Sequence, residues 1–221
     1  DGNSYDIVYG FSNNGRGPNY TEQLTVDDAG NPLSWSINGA TTFGNAIEET
    51  FQLSGESATW TDATGDGAAT VSEPALYITQ FGSPYAAQIL ARPLLDDDDK
   101  SMPALPAGEL RLTEIETLTV KGDDAELSVK TYALPGASLD PDYFVLDEDG
   151  AFFAFITPRF ITIKKGFEAE WTANALATSL PEVFNAKELG KMSMQEKALG
   201  VRLLKSADHY QQSERCTKYS F

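Results

Sequence analysis

The chain has 221 residues, and 41% of them are hydrophobic, so it can bury the core of one large domain or of a domain with an appendage. Its 33 acidic residues outnumber 16 lysines and arginines, giving a formal net charge of −17. That charge repels phosphate backbones, which excludes nucleic-acid binding, and no apolar run approaches the ~20 residues of a membrane helix, so we expect no membrane span.

The first distinctive segment is "GFSNNGRGPNY", residues 10–20. An anion-binding loop would need a helix directly after the glycines, so that backbone amides point at the anion. A strand-like segment follows instead, and Asn14-Gly15 is a strong hairpin-turn pair. The segment therefore predicts a turn between strands, with Arg16 able to pair with a carboxylate.

Four hairpins are predicted in succession. "LSWSINGA" alternates apolar Leu33, Trp35 and Ile37 with polar residues, which gives one buried and one exposed face, and "YTEQLTVDD" precedes it. The other pairs are "IEETFQL" with "SATWT", "ELRLTEIETLTV" with "AELSVKTYAL", and "DYFVLD" with "AFFAFI". Ile115 is out of phase with its neighbours, which predicts a bulge near it.

One helix interrupts the strands, and more helices are predicted at the end. In "SPYAAQILARPLL", Ser83 is a candidate N-cap, Pro84 suits the first helical position, and Pro93 limits the helix to about two turns. After Gly166 the apolar spacing is helical. We expect a mainly β fold: an antiparallel curved sheet or half-barrel meander over residues 1–165, with a short inserted helix and a helical C-terminal tail over residues 166–221.

One segment partly fits a calcium-binding loop. In "DATGDGAATVSE", Asp62, Asp66 and Glu73 occupy the positions of EF-hand ligands. Thr64 and Ala69 depart from the pattern, and strands flank the segment where helices are expected. We interpret it as a loop between strands and keep the three carboxylates as a weak calcium candidate.

No catalytic residue, resident cofactor or other metal site is predicted in the chain. A metal-dependent hydrolase needs several converging ligands, and the chain has only one histidine, His209, and one cysteine, Cys216. Two helical turns separate these two, roughly 10 Å, which is too far for a thiolate pair. Glu48 and Glu49 are adjacent in a strand and point to opposite faces, so they form no acid/base pair by themselves.

The strand aromatics allow two interpretations. They could line a cavity for an apolar ligand, or they could form an ordinary packed core, which we favour. The residues concerned are Trp35, Phe51, Trp60, Tyr77, Phe152, Phe153, Phe155 and Phe160.

The order of many short segments resembles a known family. The segments are "NNGRGP", "EETFQL", "ATW", "SPYAAQILARPLL", "LPAGE", "VKTYALPG", "YFVLDEDGAFFAFITP" and "IKKGFEAEW", from about residue 5 to 179. Together they resemble the N-terminal region of exported imidazolonepropionase-like amidohydrolases, in which a mainly antiparallel β domain precedes a metal-dependent hydrolase barrel. Such a barrel needs about 250 residues, so this chain cannot contain it.

The resemblance implies a non-catalytic accessory domain. It would pack on a catalytic amidohydrolase barrel in a partner chain or domain, and zinc or another divalent metal would be bound there. The chain begins at Asp1 without methionine, which favours a processed protein that is periplasmic or secreted. The alternative is a stand-alone periplasmic carrier with an apolar ligand in the curved sheet.

Overall fold

The computed structural model describes residues 3–12, 14–137, 141–156 and 161–168, and the backbone of 217–218. The chain divides into two compact units. The first unit comprises Asp1–Thr113 and Leu134–Pro141, and the second comprises Glu114–Ala133 and Asp142–Phe221. The predicted helical tail lies almost entirely outside the described residues, so the predicted boundary at residue 165 stays a prediction.

The first unit contains a six-stranded sheet in which each strand pairs antiparallel with the next along the chain. Its strands are β1 (Asn3–Gly10), β2 (Asn19–Val26), β3 (Pro32–Ala40), β4 (Ala46–Ser54), β5 (Ser57–Asp62) and β6 (Gly65–Thr70). Successive side chains on a strand point to opposite faces, and the buried positions of β2 and β4 alternate accordingly. The first two predicted hairpins and the buried positions of Trp35 and Ile37 are confirmed, with exposed fractions of 1% and 0%.

The turn between β1 and β2 confirms the interpretation of the opening segment. Asn14 and Gly15, near the middle of the loop that joins these strands, have φ values of 54° and 73°, in the left-handed region that an Asn-Gly turn pair favours. The Phe11 amide donates to the Pro18 carbonyl at 3.4 Å, which closes the base of the loop. Arg16 lies on this loop and is exposed.

The remaining elements of the first unit are a helix and a small sheet. The helix α1 (Ala86–Asp96) follows β7 (Leu76–Tyr77), and β8 (Ser101–Leu105) pairs parallel with β7 and antiparallel with β9 (Glu109–Arg111). Leu90, Ala91 and Leu94 on α1 are buried, with 0–5% of their surface exposed.

The predicted limits of the helix were wrong at both ends. Pro93 lies inside α1, because a proline removes only one backbone bond and the buried Leu94 beyond it keeps the last turn packed. The N-cap is Tyr85, which makes no side-chain capping bond. Ser83 instead opens a preceding turn, since its carbonyl accepts from the Ala86 amide at 2.8 Å.

The second unit contains another open six-stranded sheet, in the order β10-β11-β12-β13-β14-β15. Its strands are β10 (Thr113–Lys121), β11 (Glu126–Leu134), β12 (Asp142–Asp147), β13 (Phe152–Ile156), β14 (Ile161–Ile163) and β15 (Thr217–Lys218). β12, β13 and β14 pair antiparallel, whereas β15 pairs parallel with β14. Val120, Val129, Val145 and Phe153 are fully buried in its core.

The mainly β, antiparallel fold with one short helix is therefore confirmed for the described residues, and neither six-stranded sheet closes into a barrel. The hairpin of β12 and β13 is also confirmed. The predicted long strand "ELRLTEIETLTV" was wrong, because it is interrupted at Leu112. Its first part, β9, pairs with β8, and its second part, β10, neighbours β11 in a different sheet.

Gly67 on β6 supports the aromatic packing of the first unit. A Cβ at this position would lie 2.2 Å from Cε2 of Trp60, so no larger residue fits without moving the indole ring. We expect Gly67→Ala to lower the free energy of unfolding by about 1–3 kcal/mol, as overpacking usually does. Urea unfolding followed by tryptophan fluorescence measures it, with Ala68→Ser on the exposed face as the control. Equal effects of the two substitutions would contradict the packing.

Candidate functional site

Two glutamates lie on the buried face of the first sheet. Glu22 of β2 pairs with Ile37 of β3, which in turn pairs with Glu49 of β4, so the three residues form one row across the sheet. The exposed fractions of the two glutamates are 0% and 1%. Two strand spacings separate their backbones by roughly 10 Å.

Both carboxylate oxygens of Glu22 accept hydrogen bonds from buried donors. Nε1 of Trp35 donates to Oε2 at 2.9 Å, and the backbone amide of Ser83 donates to Oε1 at 2.6 Å. The indole comes from the neighbouring strand, whereas the amide comes from the segment just before α1. Glu22 therefore connects the sheet to the start of the helix.

Glu49 makes three hydrogen bonds to the same connecting segment. Tyr77 Oη and the Gln80 amide donate to Oε1 at 3.0 and 2.8 Å, and the Phe81 amide donates to Oε2 at 3.0 Å. The Tyr77 ring also stacks on Phe51, with centroids 4.5 Å apart and planes 9° apart. Residues 77–83 are thus attached to the sheet through two buried carboxylates.

Burial determines the direction of the pKa shifts at this site. It raises the pKa of Glu22 above the ordinary value of 4.5, and the bonds from Ser83 and Trp35 oppose that rise. It likewise raises the pKa of Glu49, against the bonds from Gln80, Phe81 and Tyr77. The Tyr77 hydroxyl has a raised pKa as well, first from burial and then from the adjacent Glu49 charge.

The hydrogen bonds of Glu22 and Glu49 suit these residues to anchoring the chain segment 77–83 better than to catalysis. A carboxylate is an acceptor, and each of its oxygens at this site already faces an N–H or O–H donor of the chain itself. General acid or base catalysis requires the group to reach a proton of the substrate. Glu22 and Glu49 are enclosed, so they hold residues 77–83 in place.

The raised pKa of Glu22 predicts a pH-dependent stability difference. Above pH 4.5 the folded chain retains the Glu22 proton that the unfolded chain loses, so the free energy of unfolding falls as pH rises through the raised pKa. Glutamine cannot titrate. We expect the stability advantage of the wild type over Glu22→Gln to be greatest near pH 4.5 and to shrink progressively towards pH 8. Urea titrations across this range measure it, with Glu48→Gln as the matched control. A pH-independent difference would refute the assignment.

The predicted calcium candidates do not converge in the structure. Asp62 and Gly65 face each other at the turn between β5 and β6, whereas Glu73 follows the other end of β6, roughly 17 Å away along the strand. Oδ1 of Asp62 accepts from the Thr64 amide and hydroxyl at 2.7 and 2.6 Å. Asp66 accepts from the Thr61 hydroxyl at 2.7 Å. The weak calcium candidate stays a prediction.

The structure describes some of the remaining residues that were considered as catalytic or metal-binding candidates. Glu48 is exposed and Glu49 is buried, so their opposite orientation is confirmed. His209 and Cys216 lie outside the described residues.

Within residues 3–168, apart from the gaps stated above, no group of three or more acidic, histidine or cysteine side chains could hold a metal ion. In that same part of the chain, no helix is long and apolar enough to cross a membrane.

The strand aromatics pack into two separate cores. Trp35, Phe51 and Tyr77 are buried in the first unit, and Phe153 contacts Phe167 edge-on in the second, with centroids 5.1 Å apart. Phe160 lies outside the described residues. The buried members of the set therefore belong to these cores, and the choice between an ordinary packed core and the lining of a ligand cavity stays a prediction.

The glutamate pair was not predicted from the sequence, although a signal was present. On β2, Glu22 shares its parity with the buried Tyr20 and Leu24, and on β4 Glu49 shares its parity with the buried Ile47 and Phe51. Strict alternation therefore places one glutamate on the apolar face of each strand. A glutamate at such a position must be hydrogen-bonded internally, because burying an unpaired charge is costly.

Comparison with known proteins gives a match to a protein family over the C-terminal part of the chain. The family described as inner membrane protein CreD matches residues 151–221, which include β13 and β14. No curated protein and no solved structure matches the chain.

This finding corrects the resemblance drawn from the sequence. The matching family is an inner membrane protein family and not an amidohydrolase, so the assignment to the amidohydrolases as an accessory domain was wrong. The alternative of a periplasmic carrier has no support either. None of the short segments that suggested the resemblance is a specific motif, and their order alone did not identify the family. The partner barrel and its divalent metal followed from that resemblance alone.

Proposed function

We propose that this chain is part of an inner-membrane-associated protein of the CreD type, and that its β units lie in the periplasm as a non-catalytic interaction module. The observation that carries the proposal is the family match over residues 151–221. The match includes β13 and β14, so it covers part of the second unit.

Two features of the described residues support an aqueous location beside the membrane. Each unit has its own buried core, and the strands of the first sheet carry exposed polar residues between the buried ones. The net charge of −17 keeps such a surface hydrated and soluble.

The enclosed glutamates support a binding or scaffolding role over catalysis. They are the charged side chains buried most deeply among the described residues, and both are used to anchor residues 77–83. Both buried carboxylates therefore fix the connection between the sheet and α1. A fixed connection suits a module that presents a rigid surface to a partner.

Sided cysteine labelling of the full-length gene product tests the proposal. In a background without native cysteines, which includes Cys216→Ser, Ser57→Cys provides an exposed thiol at the start of β5, and Ala58→Cys provides a fully buried neighbour as the control. We expect the protein to sediment with inner membranes and the Ser57→Cys thiol to react with a membrane-impermeant maleimide in intact spheroplasts. The Ala58→Cys thiol is expected to react only after denaturation.

Two results would contradict the proposal. Recovery of the protein in the soluble fraction would remove the membrane association. Reaction of the Ser57→Cys thiol only after lysis of the inner membrane would place the first unit in the cytoplasm and remove the periplasmic location.

A further inference from the structure

One end of the first sheet presents an exposed aromatic side chain. Gly10, Asn19, Ala40 and Ala46 are the paired residues that end β1 to β4 on this side, and two hairpin loops extend beyond them. Phe43 lies on the loop between β3 and β4, with 80% of its surface exposed. Among the described residues, Phe43 and Val8 are the large hydrophobic side chains that are exposed, and Phe43 is the aromatic one of the two.

The loop that carries Phe43 is held in a defined shape. The Thr41 amide donates to the Asn45 carbonyl at 2.9 Å, and the Gly44 amide donates to the Thr41 carbonyl at 2.9 Å. Oγ1 of Thr41 also accepts from the Asn45 amide at 3.2 Å. The aromatic ring is therefore presented on a closed turn.

Charge is distributed unusually around this loop. The segment "NGATTFGNAI", residues 38–47, contains no charged residue, although 22% of the chain is charged. Arg16, on the adjacent loop, is the only lysine or arginine in residues 1–91. Arg16 precedes Asn19 by three residues, and Phe43 follows Ala40, the partner of Asn19, by three, so both lie in loops beyond the same end of the sheet.

Acidic side chains lie further back along the strands. Glu48 is two residues below Ala46, roughly 7 Å along β4. Thr61 pairs with Thr50, which places Asp62 at the level of Glu49, roughly 10 Å below Ala46. This end of an otherwise acidic chain therefore combines an apolar tip and a cation, with the negative charges withdrawn.

We propose that this end of the first unit docks on the surface of a phospholipid bilayer. Phe43 enters the boundary between headgroups and acyl chains, where aromatic rings are favoured, and Arg16 pairs with lipid phosphate. The uncharged residues 38–47 allow the tip to approach without burying a charge. This inference rests on the proposed function, because a single ring and a single cation hold a surface only when the protein is already at the membrane.

Spin-label accessibility in the full-length protein tests this docking. A nitroxide is attached to Thr42→Cys in a background without native cysteines, which includes Cys216→Ser, and the matched control is the label at Ser57→Cys, at the opposite end of the sheet. In isolated inner membranes we expect collisions of the Thr42 label with a water-soluble nickel complex to be at least about threefold less frequent than those of the Ser57 label. Phe43→Ser and Arg16→Glu are each expected to abolish that difference, and Phe43→Trp to retain it.

The outcomes separate this inference from the proposed function. A protein that sediments with membranes while both labels are equally accessible to nickel overturns the docking alone. A protein that does not sediment with membranes overturns both. A difference that persists in Phe43→Ser also overturns the docking, since the ring is then not what shields the label.

Discussion

Replacing Glu22 by leucine is expected to lower the free energy of unfolding of the first unit by about 2–6 kcal/mol, because two buried donors lose their acceptor and each costs about 1–3 kcal/mol. The donors are Nε1 of Trp35 and the backbone amide of Ser83. Leucine fills much of the space, so the loss reports mainly on the missing hydrogen bonds.

Urea unfolding followed by tryptophan fluorescence measures this effect in a Trp171→Phe background, where the remaining tryptophans, Trp35 and Trp60, both lie in the first unit. The matched control is Glu48→Leu, which makes the same chemical change on the exposed face of β4. It is expected to stay within about ±0.5 kcal/mol. Similar small losses at both positions would show that Glu22 does not anchor the segment before α1.

Replacing Trp35 by alanine is the second large expected effect. The side chain is 1% exposed, so its removal leaves a cavity and is expected to cost about 3–5 kcal/mol. Trp35→Phe separates the two contributions, since it retains an aromatic ring and loses the donor to Glu22. We expect it to cost about 1–3 kcal/mol, the usual cost of leaving a buried polar group unsatisfied.

The same unfolding assay applies, with Trp60 as the remaining fluorophore. Ser36→Ala is the control, because Ser36 is on the other face of β3 and its substitution is expected to stay within about ±0.5 kcal/mol. If Trp35→Phe were as stable as the wild type, the hydrogen bond to Glu22 would contribute nothing to stability. If Trp35→Ala matched Ser36→Ala, the burial of the indole would be refuted.

The hairpins could be predicted because their signals are local. Alternation places Trp35 and Ile37 on one face, and Asn14-Gly15 specifies its own turn through backbone conformation. These signals need no knowledge of the rest of the chain. They account for the confirmed parts of the antiparallel fold.

The parts that could not be predicted depend on distant contacts. Residues 78–83 show neither the alternation typical of a strand nor the apolar spacing typical of a helix. Their position follows from hydrogen bonds to Glu49, which lies 31 residues before Gln80, and to Glu22, which lies 61 residues before Ser83. Likewise, the strand-like sequence pattern continues through Leu112 without a break. Only the pairing partners of β9 and β10 reveal that one strand ends and another, in a different sheet, begins there. Pro93 was misplaced because packing of the last helical turn outweighs one lost bond.

The division of the chain into units has a consequence for synthesis. The first unit is completed by Leu134–Pro141, and the Pro135 carbonyl accepts from the Arg111 amide at 3.3 Å. Between these residues and Thr113 the chain runs through Glu114–Ala133, which belongs to the second unit. On the ribosome, where domains usually fold from the N-terminus onward, the first unit therefore stays incomplete until a hairpin of the second has emerged. We therefore expect the first unit to be less stably folded in a nascent chain that ends at residue 113 than in one that ends at residue 141. Folding of the first unit then depends on synthesis of part of the second, although the two units have separate cores.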